Sequence, residues 1–373
     1  MSTASPSHPA PSSSPDQEAH RAAVDARISA VLDAAAERAG AIDPAGVPLV
    51  DALRRLSSGG KRLRAMLAWT GWRAAGGAPE AARAVEVGAA VELFQTAALV
   101  HDDILDRSDT RRGMPSVHRD FEARHRAQQW RHDAEHFGTA AAILAGDLCL
   151  ALSDESFARA VAGSAREDRA RAEAERMRFE VMVGQYLDVR AEMAPPAGDP
   201  AEALRAAAAV VEFKSARYTA VHPFALGALL AGADDALVAA GEQVLLPFGL
   251  AYQYRDDLLG VFGDPETTGK PAGDDLREGK RTVLVARAQA LLPAEEAAAL
   301  DADLGDPRLS EECVHLWRRR LEQVGARSEV VEDIGALSAQ ALEALEALAS
   351  AGAPVEVCRE LDALIRRSAG RAT

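Results

Sequence analysis

Lysine is nearly missing from this chain: Lys61, Lys214, Lys270 and Lys280 are the only four among 42 basic residues, and arginine supplies the rest. Cysteine is as scarce. Cys149, Cys313 and Cys358 lie far apart within helical patterns, which argues against a disulfide framework or a zinc site and leaves core-filling thiols of a reducing compartment. Aromatic residues make up 5%, and β-type alternation bounded by turn signals is absent. No stretch reads as long and apolar enough for a membrane span. The opening MSTASPSHPAPSSSPDQ has neither an apolar signal core nor transit-peptide arginines. Residues 1–16 are expected to be a disordered Ser/Pro-rich tail on a cytoplasmic protein. Positive charge is also in deficit, 42 basic against 57 acidic residues for a net charge of -15, which argues against a nucleic-acid partner. An anionic substrate stays open, because bound divalent cations dominate a local field.

What remains is helix. Hydrophobic residues reach 48%, with alanine-rich runs, enough for an ample helical core. The pattern predicts helices over 17–39, 46–57, 61–75, 79–106, 137–162, 166–193, 200–218, 222–231, 234–262, 279–291, 294–303, 309–325, 327–350 and 354–368. Breaks fall at the glycine pair 59–60, at Gly113 with Pro115, at APPAGDP (194–200) and at GDPETTGKPAG (263–273). None is long or polar enough for an interdomain linker, so residues 17–373 are expected to form one all-α domain. The stretches 84–106 and 242–262 are apolar nearly all round and belong at the centre of a bundle.

Each of those central helices ends in an aspartate pair, Asp102-Asp103 in LVHDDILD and Asp256-Asp257 in YRDDLLG. Burying adjacent carboxylates costs on the order of several kcal/mol per ion unless cations compensate. Two such pairs predict acidic clusters facing each other across a cavity with metal between them, a polar mouth above a hydrophobic tunnel. Asp102 and Asp106 are four apart on one helical face, with Asp103 beside them. Hard oxygen ligands at that spacing suit magnesium, which binds through one or two carboxylates plus substrate phosphates. A merely solvated acidic end fits poorly, because carboxylates disfavour helix C-termini. The lysines sit beside Gly-rich turns or in apolar helical context, where a compact ammonium serves as a phosphate binder. Arg62 and Arg64 follow the glycine pair, and Arg111 and Arg112 follow the first acidic motif. Two anion sites emerge, one using carboxylates and metal, the other lysine and arginine directly. Taken alone, Arg111 and Arg112 fit an exposed basic loop better.

In order along residues 45–290 stand GGKRLR, DDILD with RRG, GQYLD at 184–188, FKS, and RDDLLGVFGD with GKPAGDDLREGK. Together they resemble the trans-isoprenyl diphosphate synthases, the polyprenyl synthetase family, and look closest to actinobacterial geranylgeranyl diphosphate synthases. The resemblance implies an all-α fold of the isoprenoid synthase type, helices around a central cavity, usually in a homodimer. It implies that Asp102, Asp103, Asp106 and Asp256 hold three magnesium ions on an allylic diphosphate, supported by Asp257. Arg111, Lys214, Lys270 and Lys280 are implied contacts to that diphosphate, and Gln185 lies near the same site. Lys61, Arg64, Gln95 and Arg112 are the implied holders of isopentenyl diphosphate. Two departures stand out. Many bacterial members carry His where Gln95 stands, and the second acidic motif ends in Gly260 rather than a third aspartate, for which Asp264 is the sequence-level substitute.

The chemistry these residues imply is ionisation of an allylic diphosphate, attack by the double bond of isopentenyl diphosphate, and loss of a proton to give an all-trans chain. No triad or poised histidine appears, and His101 is assigned to packing or to a supporting contact. Small Ala97 and Ala98 one turn before Asp102 leave room beyond fifteen carbons, and Phe94, two turns back, closes the tunnel deeper. The expected product is geranylgeranyl diphosphate, with bulky residues on a facing helix, such as Met182, as rival floors. Farnesyl or longer-chain synthases are alternatives. A class I terpene cyclase would carry an Asn/Asp-Ser/Thr-Glu metal motif instead of the second aspartate pair and would need no second diphosphate site. A non-catalytic synthase subunit would tend to lose the acidic motifs, and both are kept here.

Overall fold

The computed structural model describes residues 14–195, 198–263 and 273–370, and Asp264 and Lys270 lie outside the described residues. Helices follow one another as the periodicity predicts: α1 Pro15–Ile42, α2 Val47–Ser57, α3 Leu63–Ala74, α4 Ala82–Leu105, α5 Val117–Ala127, α6 Ala134–Val161 and α7 Glu167–Met193. Then come α8 Pro200–Val210, a π-helical stretch Val211–Val221, α9 His222–Ala231, α10 Asp235–Phe262 and the short α11 Asp274–Glu278. Further helices from Val283 to Ala369 close the far side of the bundle. A two-residue hairpin, Thr110–Arg111 with Met114–Pro115, is the only strand pairing among the described residues. The fold is all-α.

α4 and α10 form the centre because they are apolar on most of their circumference. Leu93, Ala97 and Val100 of α4 pack with Ala142, Ala145 and Cys149 of α6. Val87, Val91 and Phe94 pack instead with Trp69, Tyr218 and Leu226. α10 buries Leu245 and Phe248 in one core and Ala251, Tyr254, Leu258 and Val261 in another. Filling two sides of each helix leaves one side of each for the cavity.

Three expectations change. α5 was not predicted, although Val117, Phe121 and His125 recur at i, i+4 and are buried; its polar composition masks a narrow apolar stripe. The predicted helix 200–218 continues without a break into α9 through the π-helical turn. α6 does have the length and apolarity of a membrane span, contrary to the sequence reading, but it packs along α4 through its small residues.

Candidate active site

α4 and α10 deliver their acidic ends to one cavity of about 940 Å³. Asp102, Asp256 and Asp257 line it, together with Lys61, Gln95, Arg111, Arg112, Lys214 and Lys280. The two acidic motifs therefore do face a shared space, with basic groups between them.

Lys214 projects from the π-helical stretch, where the backbone is wound one residue wider per turn, as often occurs at functional sites. Its Nζ lies 3.3 Å from Asp102 Oδ1 and pairs with Asp188 of α7. Gly184 makes that approach possible: a Cβ there would sit 2.4 Å from the Lys214 amide nitrogen. One residue on, Gln185 Nε2 donates to Asp102 Oδ1 at 3.3 Å. Burial works to raise the Asp102 carboxyl, yet the charges of Lys214, Lys280 and Arg111 outweigh it and hold the group ionised below its ordinary range. Conversely, burial pulls Lys214 down, and Asp102, Asp188 and Asp106 together lift it well above a free lysine.

Lys280 ties the two acidic regions together. Its Nζ is 2.6 Å from Glu278, 3.6 Å from Asp275 and 3.7 Å from Asp106. Positive charge still runs short on this side. Burial, with the neighbouring Asp102 charge, pushes Asp106 up to about 6. Burial, then Asp275 and Asp256, pushes Asp257 up to about 8, although Gln253 donates to it at 2.8 Å. Glu192, one turn past Asp188, is raised to about 7 by burial and by the charges of Asp188 and Asp106. Carboxylates crowded until they retain protons are a donor set suited to a divalent cation. Among the described residues no group of three or more His, Cys, Asp or Glu side chains stands placed to hold a metal ion by itself.

Several sequence assignments move. Asp103 is fully buried and turned from the cavity, accepting a 2.7 Å hydrogen bond from Arg111 Nε, because successive helical residues point about 100° apart. It anchors Arg111, which also reaches Asp102 at 3.4 Å. Arg64 does not line the cavity; its Nη2 donates to Thr219 at 2.8 Å and its guanidinium covers the Tyr218 ring at 4.2 Å. Arg62 is buried against Asp25 and Glu92 and braces the glycine turn. Arg112 lines the cavity from a left-handed backbone (φ 54°) and donates to the Ser58 carbonyl at 3.1 Å. Ala97 is shut against α6 with no exposed surface, and Phe94 is edge-on to Tyr218 in the core. Of the proposed tunnel residues, Ala98 keeps an open side and Met182 is exposed on α7. His101 faces α6, 3.3 Å from the Ile143 carbonyl and 3.5 Å from Asp147.

Sequence reasoning passed over Asp188, Asp275 and Tyr218. Asp188 closes the quoted GQYLD motif, three residues after Gln185, so helical spacing could have singled it out. Asp275 explains the missing third aspartate: a Cβ on Gly260 would lie 1.9 Å from its Oδ2. A carboxylate borne by α11 thus occupies the place that a side chain from α10 would fill. Tyr218 donates to Gln95 Oε1 at 2.5 Å, a pairing across 123 residues that no local pattern announces.

An all-α bundle with two acidic motifs and three lysines lining one cavity defines a diphosphate-handling enzyme of the isoprenyl synthase type. Residues 48–316 match the polyprenyl synthetase family. A geranylgeranyl pyrophosphate synthase from Corynebacterium glutamicum, solved with isoprenyl diphosphate and magnesium, superposes with a TM-score of 0.87 at 38% identity, over 95% of this chain and 98% of that one. A geranylfarnesyl diphosphate synthase of Aeropyrum pernix is 33% identical over 279 residues, 70% of this chain and 74% of its own. A geranylgeranyl diphosphate synthase of Mycobacterium tuberculosis is 37% identical over 234 residues, 62% and 59% of the two chains. The chain belongs to the polyprenyl synthetase family of trans-prenyltransferases.

Proposed function

We propose that this enzyme joins isopentenyl diphosphate to an allylic diphosphate and that its main product is geranylgeranyl diphosphate. The observation that carries this is one cavity lined both by Asp102, Asp256, Lys214 and Lys280 and by Lys61, Gln95 and Arg112. Two sets of anion-binding groups suit two diphosphate substrates. A cyclase needs only one.

Asp102, Asp106 and Asp256, with Asp188 and Asp275 beside them, are the residues to hold magnesium, three ions by family resemblance. Bound magnesium supplies charge neutralisation for the departing diphosphate. Lys214 and Lys280 orient that group and stabilise the negative charge that builds as the allylic C–O bond breaks. Lys61, Gln95 and Arg112 hold isopentenyl diphosphate so that its terminal carbon bonds to the allylic carbon. The new cation then loses a proton, and family resemblance makes the released diphosphate the base; among the described residues no histidine lines the cavity. Ala98 is the residue we assign to the growing chain's path. Ile143 and Leu144 of α6 and Phe179, Met182, Val183 and Tyr186 of α7 are exposed apolar side chains. They support a homodimer, with a second copy covering that face.

Purified protein incubated with magnesium, isopentenyl diphosphate and each allylic primer in turn should yield twenty-carbon diphosphate by chromatography. Cyclic hydrocarbon formed without isopentenyl diphosphate would instead establish a cyclase.

A further inference from the structure

Tyr218 is buried in the π-helical stretch one turn beyond Lys214, with 3% of its surface exposed. Its hydroxyl donates one hydrogen bond, to Gln95. Arg64 lies across the ring at 4.2 Å and is donor-only, so it offers the phenol no acceptor. Burial raises the phenol's pKa, so the hydroxyl stays protonated at working pH. The hydrogen goes to Gln95 Oε1, 2.5 Å away. An amide whose oxygen is engaged in this way offers its NH₂ group, two donors and no acceptor, to its remaining surroundings. For Gln95 those surroundings are the cavity wall it shares with Lys61 and Arg112.

We propose that Tyr218 is a positioning residue that locks the Gln95 amide with its nitrogen toward the cavity, making Gln95 a hydrogen-bond donor to isopentenyl diphosphate. The inference rests on the condensation reading above. A free glutamine rotates its amide and presents the carbonyl oxygen to the anion as readily as the nitrogen; the tyrosine hydroxyl removes that choice before the ligand arrives. Arg64 serves the same site at one remove, by covering the ring at 4.2 Å while offering its hydroxyl no acceptor. This is how a glutamine does the work of a permanently donating group.

The test uses isopentenyl diphosphate alone, which does not turn over without an allylic partner, and calorimetry on the full chain. Tyr218→Phe keeps the ring and removes the hydroxyl. It should weaken isopentenyl diphosphate roughly five- to tenfold, raise KM for that substrate in the full reaction and leave KM for the allylic substrate unchanged. In a Gln95→Ala background, Tyr218→Phe should add nothing, because the residue acts through Gln95. Gln95→Glu, which accepts the same proton but has no N–H to offer, should bind more weakly than Gln95→Ala. Equal affinity of Tyr218→Phe and wild type overturns the proposal, as does an effect of the same size in the Gln95→Ala background or a Gln95→Glu variant that binds like wild type. Wild-type protein that condenses the substrates while Tyr218→Phe is silent sinks this proposal alone. Wild-type protein that neither binds isopentenyl diphosphate nor makes product sinks the condensation reading and this proposal with it.

Discussion

Asp106 and Asp257 keep protons that exposed carboxylates release, because burial and neighbouring acids raise them to about 6 and about 8. The unfolded chain gives those protons up near pH 4. Stability from this source is therefore complete below about pH 4 and is lost as pH rises through each folded value. In metal-free buffer the melting temperature is expected to fall between about pH 5 and about pH 8. His222, clasped between Glu173 at 2.6 Å and Glu180 at 2.9 Å, contributes in the same direction. Asp257→Asn isolates the carboxylate: it should flatten the upper part of the slope, and an unchanged melting profile would refute the assignment. Gly260→Asp tests the close approach of Asp275. A new side chain has no room beside Asp275 Oδ2, so overpacking of about 1–3 kcal/mol should lower the melting point. A further Asp275→Gly change should recover part of that loss. Phe94→Ala should cost about 3–5 kcal/mol as a core truncation, readable by denaturant titration, rather than simply deepening a tunnel.

At the scale of elements, the helices were legible and their junctions were not. α4 and α10 announced themselves because apolar residues recur all round a helix and stop at aspartate pairs. α5 stayed hidden since its polar residues outnumber the stripe that Val117 and Phe121 bury. The π-helical stretch was invisible as well, because its widened turns are set by how the chain packs on α7 and α10 rather than by residue propensity. That packing depends on Gly184. Gly184→Ala should push the Lys214 backbone away, reducing kcat by roughly tenfold or more while helix content by circular dichroism holds. Retained kcat would show that Lys214 does not need this placement.

At the scale of the molecule, the exposed apolar face of α6 and α7 predicts the quaternary structure. Phe179 is 71% exposed and Met182 54% exposed in the single chain. Phe179→Asp with Met182→Asp should convert a sedimenting dimer to monomer. A wild-type chain that already sediments as monomer would refute the second copy. The same measurements bear on product length, since Ala98→Phe should shorten the product while Asp102 and its partners stay in place. Unchanged chromatograms would remove Ala98 from the path.

Local chemistry decided which residues this protein would need: a helix ending in acid must answer that charge with cations, and three of the chain's four lysines, Lys61, Lys214 and Lys280, line the cavity where those acids meet. Those inferences hold within a few turns of chain, where periodicity and motif spacing act. Which way each side chain turned was settled by contacts between segments far apart in sequence. Lys214 reaches Asp102, Arg64 folds over Tyr218, and Tyr218 donates to Gln95. Such pairings depend on distances that only the packed bundle creates, so no reading of local pattern could have specified them.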